Sequence, residues 1–564
     1  MEPLNQLKRR STDLLKQAQQ SMPSLPKSIN INMPDVQASL PSLPRLDFGR
    51  SSSRKDKDKP AAVQGTWERI DIPALPRSSH SLNVVSGSAY IFGGETEPCQ
   101  PVDNDMHIVR LPFSSAGADY HRVEAKAASA VEQDATPSSE QAKNADDAPQ
   151  GEGPKGKGND KDATADDTRP RLDRVPPPRV GHATAVIGSR IFLFGGRGGP
   201  DMKPLEEAGR VWVYDTRSHA WSHLDPEPAV RGGAIVPQPS PRSFHCATAT
   251  DRPRDFPSVP PASAEPATPR TWRQWALGDT SRTGIPQDPV VGYVAEQAVD
   301  EESDGYGTFF VHAGCLAGGD RTSDLWAFDV RTRTWTELPA APGPSRSGTA
   351  ICISKSRLFR FGGYDGESEL GGQLDVLPLE LETFDDGHSK GEVAIHARAG
   401  WQTILQSDVD ASSAEMHVEP RQAWPAPRSA AALQALTVGG GKECLVLAMG
   451  ERAPGAHGRA AAAAEAFLDD VWTFEVPPLG MSPASLRAAF LQAVGKKTGE
   501  GRWQRVGMGE YDDESGQGMP AARGWLASAP MADLEETGIV VWGGLGAGDA
   551  SIGDGWILRL GKGV

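Results

Sequence analysis

One pattern returns six times along the 564 residues. An arginine opens an alternating apolar strand, a second strand ends in a small-residue pair, a third strand follows, and an aromatic residue marks a fourth. The arginine-led strands begin at Arg77, Arg179, Arg242, Arg346, Arg428 and Arg523, as in RSSHSLNVV and RVGHATAVI. The second strands read AYIFGG, IFLFGG, TFFVHAGC, LFRFGG, CLVLAMGE and IVVWGG, so four keep Gly-Gly and two reduce it to Ala313–Gly314 and Met449–Gly450. A period of this kind constrains the fold more than any composition. A lone four-stranded sheet cannot bury its own face, so repeated sheets must stack on one another.

The count is uneven in an informative way. Tyr120, Trp221, Trp335, Trp401 and Trp503 mark fourth strands after the first five repeats, and the sixth repeat lacks one. The missing strand lies at the front, around Trp67 in TWERI. A strand from the start of the chain that completes the last sheet closes a ring, and the sequence therefore predicts an all-β, six-bladed propeller closed by an N-terminal strand. The 61 glycines, 47 prolines and 38% hydrophobic content agree with short strands and turns rather than helices.

These repeats resemble the kelch motif, and residues 65–564 are similar to a six-bladed kelch propeller. The resemblance implies a binding scaffold, since kelch propellers most often hold protein partners. Two enzymatic relatives of the fold set the alternatives. Galactose-oxidase-like enzymes need a copper set of tyrosines and histidines, which has no match among the 7 tyrosines here. Specifier-type lyases are similar in overall plan, and the resemblance implies Fe(II) on an E-x3-D-x3-H stretch and a sulfated, anionic substrate. Glu380 and His388 keep the outer spacing, with Phe384 in the middle place and Asp385 one position off. Asp103 and His107 keep the inner spacing, with Cys99 where the family has Glu.

At roughly 50 residues per kelch unit the ring needs fewer residues than the chain supplies. Insertions at 124–174, 251–305, 382–398, 406–422, 452–466 and 478–501 account for the excess. The first is poor in large apolar residues and is expected to be disordered. Within the last, Ser482-Pro483 and Gly495 bracket an expected helix carrying Leu486, Phe490, Leu491 and Val494 on one stripe. Ahead of the ring, residues 1–60 form a basic, Pro/Ser-rich tail, with an expected short amphipathic helix over residues 4–20 that would touch a partner or a membrane surface.

Charge narrows the partners. Residues 1–60 hold 11 Lys and Arg against 6 Asp and Glu, a net of +5, and the remainder holds 47 against 68, a net of −21. So acidic a body repels phosphate backbones, which argues against nucleic acid. No run of 18 apolar residues is present, and the five cysteines (Cys99, Cys246, Cys315, Cys352, Cys444) form no CxxC pair. An intracellular protein, cytoplasmic or nuclear, with reduced thiols is expected.

Symmetry places the six repeat arginines at equivalent positions near one channel mouth. Their rigid forks suit a carboxylate, sulfate or phosphate. Two roles are open: a candidate binding ring that holds an acidic segment of a protein partner, or braces that grip carboxylates and carbonyls within the blades. His80, His182 and His245 follow their arginines by three and should point alike. No catalytic set and no bound cofactor are expected, Fe(II) entering only under the lyase alternative.

Overall fold

The computed structural model describes residues 63–112, 116–128, 174–228, 233, 235–254, 305–385, 390–406, 423–438, 442–452, 466–477, 501–510, 518–531 and 538–562. The tail, including the helix expected over residues 4–20, and the helix expected after Ser482 lie outside them. Among the described residues the only helical element is a 3-10 turn, Ala547–Asp549.

Six antiparallel sheets follow one another in the order of the repeats. Blade 1 runs Ser81–Val85, Ser88–Phe92, Met106–Arg110 and Asp119–Val123, and blade 2 runs Ala183–Ile187, Arg190–Phe194, Val211–Asp215 and Ala220–Leu224. Blade 3 comprises Cys246–Thr250, Thr308–His312, Leu325–Asp329 and Thr334–Leu338. Blade 5 comprises Ala432–Val438, Lys442–Ala448, Val471–Glu475 and Trp503–Arg505. Blade 4 departs from the plan. Its third strand extends over Gln373–Asp385 and pairs with Lys390–Ala397 before Gln402–Leu405 completes the blade. Trp401, expected to lie in that fourth strand, sits one residue ahead of it.

The sixth sheet closes the ring. Ala527–Pro530, Ile539–Trp542 and Gly555–Lys562 are joined by Val63–Ile70, with Trp67 opposite Leu558. The outer edge of that closing strand is covered in turn by Gly507–Glu510, which pairs with it in parallel. Blade 2 receives a similar cover, as the peptide at Trp221 exchanges hydrogen bonds with Lys126 and Ala128. Covered edges leave fewer unpaired N–H and C=O groups for stray pairing.

The core is six inter-blade seams rather than one centre. Separate apolar clusters join blades 6 and 1, 1 and 2, 2 and 3, 3 and 4, 4 and 5, and 5 and 6. One contact recurs in these seams. The residue just before the small pair packs against the aromatic of the next blade's fourth strand: Phe92 on Trp221 at 5.0 Å, Phe194 on Trp335 at 5.3 Å, and Phe361 on Trp503 at 5.6 Å. His312 occupies that place in blade 3 and lies 6.1 Å from Trp401. Each aromatic thus ties two blades through large buried area and tilted ring contact.

Because the closing strand carries Trp67, 2% exposed in the seam between blades 5 and 6, the ring depends on it. Trp67→Ala should cost about 3–5 kcal/mol, and removal of Val63–Ile70 should abolish the main cooperative transition, as followed by urea denaturation.

Candidate functional site

The sequence places six guanidinium groups where a ligand can reach them; the structure buries all six. Arg77 is 4% exposed, Arg346 1%, and Arg179, Arg242, Arg428 and Arg523 0%. Each Nη1 donates to the carbonyl of the first residue of its own small pair, Gly93, Gly195, Ala313, Gly362, Met449 or Gly543, at 2.9–3.3 Å. In five blades Nε donates to the carbonyl two residues upstream. Four forks close on a carboxylate: Arg179 on Glu207, Arg242 on Asp324, Arg428 on Asp470 and Arg523 on Asp554. The candidate ring is therefore a set of braces, and its donors are spent inside the wall.

The carboxylates have a second task. Glu207 accepts the indole N–H of Trp212, and Asp324, Asp470 and Asp554 accept those of Trp326, Trp472 and Trp556, two residues on. Burial works to raise the pKa of Asp324, Asp470 and Asp554. The hydrogen bonds and charge of the paired arginine, with the indole N–H, outweigh it and hold all three below the ordinary value.

Two blades solve the problem differently. In blade 4, Gln373 stands where Asp324 stands in blade 3, and a fully buried Arg360–Asp375 pair at 2.6 Å replaces the Val311–Trp326 cross-strand pair. Arg346 then forms no ion pair among the described residues, and burial, with the neighbouring Arg360 charge, lowers its pKa to about 10 despite Asp375 and Asp365. In blade 1, Nη2 of Arg77 lies 3.1 Å from Nε2 of His107, which is also 3.2 Å from Asp103, while Nδ1 meets the Tyr120 hydroxyl at 2.9 Å. His107 thus faces the brace instead of an open ligand position.

Of the remaining iron candidates, only part is described. Glu380 is on the outer strand of blade 4, half exposed, with His396 3.9 Å across the pairing. Asp385 ends the same strand, and His388 lies outside the described residues. Among the described residues, no three His, Cys, Asp or Glu side chains come together as a metal would require.

The three histidines are wedges between blades. A Cβ on Gly93 would sit 2.8 Å from Cε1 of His182, on Gly195 2.8 Å from His245, and on Gly543 2.9 Å from His80. Ala313 and Met449, the two departures from Gly-Gly, precede blades that carry Thr349 and Leu526 in place of histidine. Loss of the imidazole removes one obstacle to a side chain there. Burial first, then the adjacent arginine, lowers the pKa of His80, His182 and His245, to about 3 for His245, so the imidazoles are neutral at neutral pH.

Above the braces the backbone forms a closed ring. The residue two after each arginine has left-handed φ: Ser79, Gly181, Phe244, Gly348, Ala430 and Trp525, at +48° to +64°. Each of these N–H groups donates to the carbonyl of its counterpart in the preceding blade, at 2.7–3.1 Å, six bonds in all. A second sixfold set runs from the second glycine of each pair to the next blade's arginine carbonyl, as Gly94 to Arg179 and Gly544 to Arg77.

These turns surround an axial cavity of about 140 Å³. Phe244 and Trp525, from opposite blades 3 and 6, meet across it with ring centroids 5.1 Å apart. The residues following the small pairs flank them. Arg197 lies over Phe244 at 4.6 Å, Arg321 over Tyr364 at 5.0 Å, and Glu451 accepts the Trp525 indole N–H at 2.6 Å. Among the described residues neither Arg197 nor Arg321 forms an ion pair. Sequence reasoning overlooked this set, whose signal, for all but Arg321, is positional: two after the arginine or one after the pair.

The family model for the Kelch motif matches residues 178–226, which are blade 2 with its brace, its Gly-Gly and its Trp221. With the same construction repeated around a closed ring, the assignment follows. The chain is a kelch-repeat β-propeller. It is similar to Kelch-like protein 25 of Xenopus tropicalis, 27% identical over 206 residues, 36% of this chain and 32% of that protein. It is also similar to Kelch-like protein terF of Aspergillus terreus, 27% identical over 201 residues, 34% of this chain and 40% of that one. The kelch propeller therefore aligns with well under two thirds of either relative. A shorter stretch, 51 residues covering 8% of this chain and 14% of the other, is 39% identical to N-(sulfonatooxy)prop-2-enimidothioate sulfolyase of Thlaspi arvense.

Two predictions follow from the wedge and the mouth of the kelch propeller. Gly195→Ala should lower stability by about 2–3 kcal/mol through clashes with the Arg242 carbonyl and His245, whereas Ala313→Gly should stay within about 1 kcal/mol, both read from urea midpoints. Burial, then the charges of Glu369 and Asp549, raise the Glu451 pKa despite the Trp525 bond. A raised carboxyl pKa gives stability that is present below the ordinary value and lost as pH rises through the folded value. Glu451→Gln, which keeps an acceptor for Trp525, should melt higher than the parent at pH 7 and converge with it below pH ~4.

Proposed function

We propose that this kelch propeller is a protein-interaction scaffold that receives an acidic segment of a partner at the mouth around Phe244 and Trp525. The observation that carries the reading is the pair Arg197 and Arg321. Both guanidinium groups lie over aromatic rings, at 4.6 Å and 5.0 Å, and neither forms an ion pair among the described residues. Stacking holds the forks in place, so little side-chain freedom is lost when a carboxylate docks. In a ring domain of net charge −21 they are cations outside any ion pair among the described residues, a contrast that suits an anionic partner, though Arg321 also acts on nearby Asp365. The six repeat arginines serve the scaffold by fixing the turns that present these groups.

A segment of protein fits this role better than a small substrate, because the surface is a shallow aromatic floor flanked by charged loops. The iron-dependent lyase reading draws on the short similarity to the sulfolyase and on Glu380, Asp385 and His388, of which His388 lies outside the described residues. No helix among the described residues is long and apolar enough to cross a membrane. A cytoplasmic or nuclear scaffold tethered through its basic tail completes the proposal.

The test is binding of a fluorescent dodecapeptide rich in Asp and Glu to the full chain, with a Lys-rich peptide as control. The acidic peptide should bind preferentially and more weakly as salt rises. The double variant Arg197→Ala, Arg321→Ala should lose at least tenfold in affinity with an unchanged melting temperature. Equal binding by parent and double variant would overturn the reading.

A further inference from the structure

The mouth is not uniformly basic, and its order of groups across the axis is specific. Arg197 of blade 2 stacks on Phe244 of blade 3, Phe244 meets Trp525 of blade 6, and Trp525 donates to Glu451 of blade 5. Blades 2 and 5 are opposite one another, as are blades 3 and 6. A strip thus runs from a cation, over two aromatic rings, to a carboxylate. We infer that the mouth reads a bipolar segment of its protein partner, with an acidic residue over Arg197, an apolar residue on the Phe244–Trp525 floor and a basic residue toward Glu451.

This inference rests on the reading of the mouth as a docking site and goes further by fixing the order of partner side chains. Three observations support it. First, the spacings suit an extended chain. The cation lies 4.6 Å from the Phe244 ring centre and the two rings are 5.1 Å apart, while side chains at i and i+2 of an extended segment project to one side about 7 Å apart. An acidic–x–apolar–x–basic segment therefore lays its three recognition groups along the strip.

Second, the acidic end is a place of unrelieved negative charge. Glu451 is only partly buried, its carboxylate accepts from a neutral indole, and Glu369 and Asp549 act on it from the loops of blades 4 and 6. An incoming ammonium or guanidinium group would relieve that repulsion. Third, the six N–H groups of the ring two residues after each arginine already donate to the carbonyls of their counterparts. A docked segment gains nothing from those donors, so recognition falls to the side chains of the strip.

The experiment is selection of a random dodecapeptide phage library on the immobilised full-length protein, followed by affinity measurement of the recovered peptides. The expected peptides carry Asp or Glu, then an aromatic or aliphatic residue, then Lys or Arg, at alternate positions. Replacing their basic residue by Ala should weaken binding to the parent at least tenfold. The same replacement should have little effect on binding to Glu451→Gln. Arg197→Ala should remove the preference for the acidic residue. Trp525→Ser, which installs the residue blade 1 carries at this position as Ser79, should weaken every selected peptide while the protein keeps its melting transition.

Recovered peptides that are acidic without a basic residue, or whose basic residue is dispensable, would overturn the bipolar inference and leave the acidic docking site intact. Peptides that bind Trp525→Ser as well as the parent, or no enrichment at all, would overturn the docking reading together with it.

Discussion

The arginine buried at the head of each blade is the interaction on which this structure turns. A guanidinium with five N–H groups and no water must find acceptors on all sides, or its burial costs several kcal/mol. It finds them in the carbonyl of the small pair, in five blades the carbonyl two residues upstream and, in four, a carboxylate that also takes an indole N–H. Those bonds pin the end of the second strand to the start of the first. The pinned turn then aims the second glycine's N–H at the next blade, so a contact within one sheet sets the joint between two. The fold repeats a connection as much as a sheet.

The blades tolerate change around that connection in ways that expose its rules. Blade 4 lacks the carboxylate but places Arg360 and Asp375 beside Arg346, and blade 1 substitutes a His107–Asp103 pair. Glycine is dispensable at the first position of the small pair where the next blade offers no imidazole, as at Ala313 and Met449. At the second position all six blades keep glycine, because φ of +90° to +110° and close approach of the first strand exclude a side chain.

The architecture was legible in the sequence because its marks are periodic. Arg, small pair and aromatic recur in order, and the misplaced Trp67 announced ring closure before any coordinate. The role of the arginines was not legible, since burial depends on what surrounds a residue and a guanidinium reads the same whether it faces water or a carbonyl. The Asp-x-Trp spacing at Asp324, Asp470 and Asp554 was a visible clue to the braces. The mouth was hidden for a different reason. Phe244, Trp525 and Arg197 share no residue type with their counterparts in other blades, and Glu451 matches only Glu95 of blade 1, so self-similarity passes over them and only the aligned ring shows that they meet.

The closed ring of backbone bonds at the mouth has an electrostatic consequence. A helix end gathers aligned peptide dipoles into a fixed partial charge. Here six N–H···O=C bonds run head to tail around a circle, and the components of their dipoles in the plane of the ring cancel by symmetry. The six N–H groups of that ring are spent on neighbouring carbonyls, and the charge a partner meets at the mouth is carried by side chains such as Arg197, Arg321 and Glu451. Substitution at those places can rewrite what the propeller attracts while the wall beneath stays as it is.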